Sequence, residues 1–178
     1  LYLLDCQEDG LLGLTATLNQ QFDADIRCLV CDLADPADIT CANQRILGDW
    51  SGIDILINNA GICYYGPTVD MCAHQWQQLS AVNFNAPIQM MHQWLPVLIR
   101  RPQGQIINIA SFFGLLVTRR CTMYHATKYG LVGFSEALRA ETGNQIGIST
   151  ICPGLVRTGF FDSAFNGYEQ KPTPHPPT

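Results

Sequence analysis

The chain has 178 residues, 47% hydrophobic and 14% charged, with a formal net charge of −5. That length supports a domain with its own core, and the composition is that of a globular α/β protein. Without a basic run, a spanning apolar stretch of roughly 18–20 residues or a basic-then-apolar leader, nucleic acid and membranes are not expected as partners, and a cytoplasmic location is expected.

Taken in chain order, Leu1-Tyr2-Leu3-Leu4 is a short apolar run that ends at Asp5 and reads as a buried strand. Residues 10–22 carry Leu11, Leu14 and Leu18 at helical spacing. Residues 26–31 form a second strand ending at Asp32. Asp35-Pro36 then supplies an N-cap and a first-turn proline for a helix that runs to about Leu47. Residues 53–57 form a third strand, followed by Asn58-Asn59-Ala60-Gly61. From 70 to 98 the period is helical, with Trp76, Leu79 and Val82 on one face and Ile88, Met91, Leu95 and Leu98 continuing it. Pro87 predicts a break or kink just after Asn83. Residues 105–110 form a fourth strand. Residues 123–141 form a long helix with Leu131, Phe134 and Leu138 inward. Residues 146–151 form a fifth strand, closed by Cys152-Pro153-Gly154.

Strands alternating with helices predict a doubly wound parallel sheet with helices on both faces, an α/β fold of right-handed crossovers. One domain is expected over residues 1–170. Residues 171–178, Lys171-Pro172-Thr173-Pro174-His175-Pro176-Pro177-Thr178, are expected to be a disordered tail. The eight cysteines read as reduced, mostly buried thiols. Cys28 and Cys31 lie in an extended segment that points them to opposite faces, which is poor geometry for a metal, and no metal site is expected.

In such sheets ligands bind at the carboxyl ends of the strands. That rule selects Asp5, Asp32, the 58–61 turn, Ser111 and the 153–158 loop. Tyr124 and Lys128, four apart on a helix, point from one face. A phenol ionises near pH 10, and a neighbouring ammonium favours the phenolate, so Tyr124 could exchange a proton with a carbonyl or alcohol oxygen. Ser111 ends the preceding strand and its hydroxyl could bond the same oxygen. At the kink, the side chain or freed carbonyl of Asn83 could hold a water. Asp5, at a strand end, would accept the 2′-hydroxyl of a ribose and repel a 2′-phosphate; Cys6 follows it rather than an arginine. NAD is therefore expected over NADP.

The ordered set Asn58-Asn59-Ala60-Gly61, Asn83, Asn108-Ile109-Ala110-Ser111, Tyr124-His125-Ala126-Thr127-Lys128 and Pro153-Gly154-Leu155-Val156-Arg157-Thr158 resembles the single-domain branch of the short-chain dehydrogenase/reductase family, over nearly the whole chain. The resemblance implies a Rossmann-like fold and hydride transfer between NAD(H) and a secondary alcohol or ketone. It implies that Tyr124 is the acid/base, and that Lys128 lowers its pKa and binds the nicotinamide ribose. Ser111 would polarise the substrate oxygen, and Asn83 would hold a water in a relay to Lys128. Asn59, Ala60 and Gly61 would line the adenosine side, and Asp32 and Leu33 would contact adenine. Pro153, Gly154, Val156 and Thr158 would sit along the nicotinamide. Members commonly form homodimers or homotetramers through the helix around residues 83–98 and the helix carrying Tyr124.

The sequence departs from the family at both ends. Its glycine-rich TGxxxGxG turn, which carries the pyrophosphate at a helix N-terminus, is absent from these residues, and so is the last strand. The strand missing from the middle of the sheet is expected to leave two unpaired inner edges, weak dinucleotide binding and marginal stability. Two other readings accompany the enzyme: a truncated, non-catalytic remnant or scaffold, and an extended-branch epimerase or dehydratase. His125 is expected to be partly exposed, and Arg119 and Arg120 to lie in a solvated loop. Phe112, Phe113, Phe160 and Phe161 flank the expected pocket. Residues 160–168 would set substrate choice.

Overall fold

Short apolar runs alternate with helical periods, and they produce the element order seen in the computed structural model, which describes residues 1–161 and 164–166. The chain divides into two compact units, Leu1–Gly52 and Ile53–Thr178, each described by itself. No helix among the described residues is long and apolar enough to cross a membrane. The expected proline-rich tail lies outside the described residues.

The first unit holds β1 (Tyr2–Asp5), α1 (Glu8–Gln21), β2 (Arg27–Val30) and α2 (Pro36–Asp49). β1 and β2 pair in parallel, with Asp5 opposite Val30. α2 opens as its sequence predicts: Pro36 lies in the first turn and Asp35 accepts the Ala37 N–H at 2.8 Å. Tyr2 Oη donates to Asp49 at 3.0 Å, and its ring meets Trp50 edge-on at 5.3 Å. Leu14 fits the helical spacing but lies off the buried line. It is half exposed, because the inward line of α1 runs through Leu11, Thr15 and Leu18 instead. Thr15 turns its hydroxyl back to the Leu11 carbonyl, which lets a polar residue occupy that line.

The second unit contains β3 (Ile55–Asn58), β4 (Tyr64–Tyr65), α3 (Ala73–Ser80), a π-helical turn (Ala81–Asn85), α4 (Ala86–Leu98), β5 (Gln105–Ile109), α5 (Thr122–Thr142), β6 (Gly147–Ile151) and β7 (Phe165–Asn166). Its main sheet is parallel in the order β3-β5-β6, and β4 pairs with β7. Among the described residues β1 pairs only with β2 and β3 only with β5, so each keeps one unpaired edge. α4 packs on β3 and β5, and α5 on β6. Leu56, Ile106 and Ile148 are buried on that side with Met91, Trp94, Leu98, Leu131 and Leu138. Burial of each such side chain contributes about 1.5–3 kcal/mol. The alternate residues Ile55, Ile57 and Ile151 remain about half exposed.

The long helix begins at Ala73 rather than at residue 70 and continues past Asn83 to Leu98. It passes through the π turn, where the Ala86 N–H reaches the Ala81 carbonyl five residues back. Pro87 has no N–H to offer the Asn83 carbonyl, so an uninterrupted α-helix would leave that group short of a partner. Trp76 is 44% exposed, because the inward line of α3 runs through Gln75, Gln78 and Leu79. The thiols also differ from expectation. Cys31, Cys63 and Cys121 are buried and Cys28 and Cys152 half-buried, whereas Cys6, Cys41 and Cys72 are exposed.

Candidate active site

β5 delivers Ser111 just past its carboxyl end, and the Ser111 Oγ accepts the Phe113 N–H at 3.1 Å, opening a 3-10 turn, Phe112–Gly114. The first turns of α5 present Tyr124 and Lys128 on one inward face, 6% and 3% exposed. The Ser111 hydroxyl acts on the Tyr124 phenol, favouring its ionised form. The Lys128 Nζ donates to the Ile109 carbonyl at 2.9 Å and lies 5.7 Å from the centre of the Tyr124 ring. From the π turn comes Asn83, with no exposed surface: Oδ1 accepts the Ile62 N–H at 2.8 Å and Nδ2 donates to the Ile62 carbonyl at 2.8 Å and to Thr127 Oγ1 at 3.3 Å. A Cβ on Gly61 would stand 3.4 Å from Asn83 Oδ1 and 3.5 Å from Lys128 Nζ, so the turn after β3 lies directly on this group. The four residues expected to carry chemistry thus meet in one place.

Two approaches that only glycine allows hold the frame. A Cβ on Gly114 would fall 2.9 Å from the Lys128 carbonyl oxygen, and one on Gly130 would fall 2.8 Å from the Phe84 ring. The 3-10 turn and the π turn therefore both press onto the α5 backbone.

Burial sets the electrostatics. It pushes the Tyr124 phenol up to about 12; the Ser111 hydroxyl opposes this, while Cys63 and Cys121 add to it. Burial also pulls the Lys128 ammonium down to about 8, against the opposing pull of Cys63 and Cys152. The sequence predicts that Lys128 lowers the Tyr124 pKa; in this structure the shift is upward, desolvation is its largest cause, and Lys128 is not among its causes. Cys63 keeps its proton, pushed up by its hydrogen bond to Cys121 and by burial.

Asn59 and Ala60 are exposed beside Gly61. In the 153–158 loop Pro153 is half-buried, while Gly154, Val156 and Thr158 are exposed, and Thr158 Oγ1 accepts the Phe160 N–H at 3.3 Å. In the first unit Asp5 is exposed and accepts the Gln7 N–H at 2.8 Å. Asp32 is exposed and accepts the Ala34 N–H at 2.8 Å, beside half-buried Leu33. Of the aromatic residues, Phe113 and Phe160 stand 6.3 and 6.0 Å from the Tyr124 ring, whereas Phe112 is 47% exposed. The side chain of Phe161 and residues 162–163 and 167–168 of the predicted specificity loop lie outside the described residues.

Sequence reasoning missed three things here. Cys63 and Cys121 join Tyr64, Leu79 and Tyr124 in one buried cluster. Asn108, fully buried on β5, accepts from Asn58 Nδ2 at 2.8 Å and donates to Ser135 Oγ at 2.9 Å, tying β3, β5 and α5 together. A polar residue at an inward-facing strand position was the available signal for it. His125 is not partly exposed but buried, at 5%, because both ring nitrogens are taken by the segment that follows Ser111.

The short chain dehydrogenase family model matches residues 1–169. The chain belongs to the short-chain dehydrogenase family. D-beta-hydroxybutyrate dehydrogenase of Cupriavidus necator is 32% identical over 142 residues, 79% of this chain and 55% of that one. A short-chain dehydrogenase/reductase from Burkholderia phymatum, solved in complex with NAD, superposes with a TM-score of 0.86 at 26% identity, over 91% of this chain and 59% of that one. A short-chain dehydrogenase from Sphingobium yanoikuyae, solved with NADPH, gives 0.84 at 25% identity over 93% and 69%. The fold of this family member is accordingly Rossmann-like. Against the hydroxybutyrate and Burkholderia enzymes, the chain spans somewhat more than half their length.

Proposed function

We propose that the protein carrying this chain is an oxidoreductase that moves a hydride between NAD(H) and a secondary alcohol or ketone, with Tyr124 as acid/base. The convergence of Ser111, Tyr124, Lys128 and Asn83 in a largely buried group carries the reading. These residues fit the nicotinamide end of such a cofactor: the buried Lys128 ammonium and the Asn83 carboxamide stand beside a turn, at Gly61, that carries no side chain. When bound, the cofactor supplies or accepts the hydride at the carbinol carbon.

The chain's own residues do the rest. Tyr124 is protonated at neutral pH, the form that gives a proton to a carbonyl oxygen as it becomes an alkoxide. Ser111 Oγ is oriented by the Phe113 N–H and keeps its own proton to donate to that oxygen. Lys128 would hold the ribose hydroxyls and stabilise the phenolate after the proton leaves. The Asn83 amide is committed to Ile62 and Thr127, so a relay through Asn83 would use the main-chain carbonyl of the π turn. Asn59, Ala60, Gly61, Pro153, Gly154, Val156 and Thr158 would line the cofactor in the second unit. In the first unit Asp5 would take a ribose 2′-hydroxyl, favouring NAD, and Asp32 and Leu33 would meet adenine. Assembly as a homodimer or homotetramer through α4 and α5 belongs to the same reading; Tyr129, 41% exposed, is a side chain α5 offers to it.

Replacing Tyr124 with Phe in the protein that carries this chain should cut turnover by about 10²–10⁴-fold while NADH affinity changes little. Turnover that persists would remove Tyr124 from the proton transfer.

A further inference from the structure

His125 follows the proposed acid/base directly, yet its ring faces away from solvent and is used at both nitrogens. Nδ1 lies 2.8 Å from the Phe113 carbonyl oxygen, which can only accept, so Nδ1 carries the proton. Nε2 lies 2.9 Å from the Thr118 backbone N–H, which can only donate, so Nε2 is bare. Thr118 Oγ1 is 3.2 Å from the same nitrogen. These partners require the neutral Nδ1–H tautomer. One imidazole thereby clasps both ends of the segment from Phe113 to Thr118.

That segment has two features that need a clasp. It shows apolar side chains to solvent, Leu115 at 56% and Val117 at 73%, next to Phe112 at 47%. Its inner end also stands against the reacting group: Phe113 packs on the His125 ring at 5.0 Å and meets the Tyr124 ring edge-on at 6.3 Å, while its N–H orients Ser111. Burial alone does not explain such a loop, because Leu115 and Val117 are exposed and Leu116 is only half-buried. Backbone bonds of the 3-10 turn hold its inner end, and directed bonds to the His125 ring hold Phe113 and Thr118.

We propose that His125 is a positioning residue that fixes the segment from Phe113 to Thr118 as an apolar wall beside Tyr124 and Ser111. The substrate class that suits this wall is a ketone or secondary alcohol with an apolar substituent. The inference rests on the functional reading above and adds a residue and a substrate preference to it.

Ring and amide signals test the clasp without turnover. Nitrogen-15 spectra of the chain should show His125 as a single neutral Nδ1–H tautomer, and Thr118 amide exchange should speed up by about tenfold or more in His125→Ala. An Nε2–H ring, or Thr118 exchange unchanged by the substitution, overturns the clasp. Steady-state kinetics with acetone and acetophenone test the wall. His125→Ala should raise KM for acetophenone about tenfold, leave kcat and the KM for acetone within about twofold, and be partly rescued by His125→Asn, whose amide can still donate to Phe113. An equal rise for both ketones, or a fall in kcat alone, overturns the positioning role. If neither ketone turns over in the wild-type protein, the functional reading and the wall fail together, while the ring and amide signals still decide the clasp.

Discussion

Lys128 is bonded through Nζ to the carbonyl of Ile109, two residues before Ser111 on the same strand end. The buried cation of the candidate site is therefore anchored to the backbone that delivers the serine. Its contact with Tyr124 is to the ring, at 5.7 Å from the centroid. This arrangement places a charge in a largely dry setting, and its cost should be visible in solution.

Stability should depend on pH through these two groups with opposite signs. The folded Lys128 pKa, about 8, lies below the usual 10.5, so the unfolded chain binds more protons between those values and stability rises with pH there. The full effect is on the order of 3 kcal/mol. The folded Tyr124 pKa, about 12, lies above the usual 10.0, so stability falls as pH rises through that window. Denaturation at stepped pH should show wild type gaining on Lys128→Met between about 8 and 10.5 and losing to Tyr124→Phe above 10. Parallel curves would contradict the burial of either charge.

Asn83 should matter to folding before it matters to chemistry. Asn83→Ala strands both polar groups of the Ile62 backbone and should cost about 2–4 kcal/mol in urea denaturation. Asn83→Asp still accepts the Ile62 N–H but cannot donate to its carbonyl, so it should fall between alanine and wild type at neutral pH. An alanine variant of full stability would show the two bonds to be dispensable.

Asn108 ties two strands to α5 from a fully buried position. Asn108→Ala leaves Asn58 Nδ2 and a cavity behind and should lower stability by about 2–4 kcal/mol. Pairing it with Asn58→Ala should cost less than the sum of the separate changes, because the two share one hydrogen bond. Strict additivity would mean that the bond contributes nothing.

Cofactor choice should turn on Asp5. In the protein that carries this chain, NADH should outperform NADPH in kcat/KM, and Asp5→Asn should narrow the gap by about tenfold or more by removing the repulsion of a 2′-phosphate. A wild-type preference for NADPH would end the argument from this carboxylate.

Much of this was legible in the residues because it is local. Periods of two and 3.6 gave the alternation of strands and helices, Asp35-Pro36 marked the start of α2, and a spacing of four put Tyr124 and Lys128 on one face. The rest depends on contacts between distant segments. β4 and β7 have two residues each, too short for any period, and exist only as each other's partners. The depth of His125 is set by a loop that no local rule folds onto it, and the Cys63–Cys121 contact joins segments far apart in the chain. Leu14 and Trp76 fit the helical spacing yet sit beside the buried line, because a period fixes which residues share a face but not which face turns inward.

The π turn at Ala81–Asn85 makes α3 and α4 count from different origins. It stores one residue more than an α-helical turn, which shifts the sequence count of the faces on either side by roughly 100°. A one-residue deletion there would let the segment close as an α-helix and leave the faces of α3 and α4 in their present phase. What it would remove is the extra residue that carries Asn83 to Ile62, so the bulge serves the site rather than the alignment of the two helices.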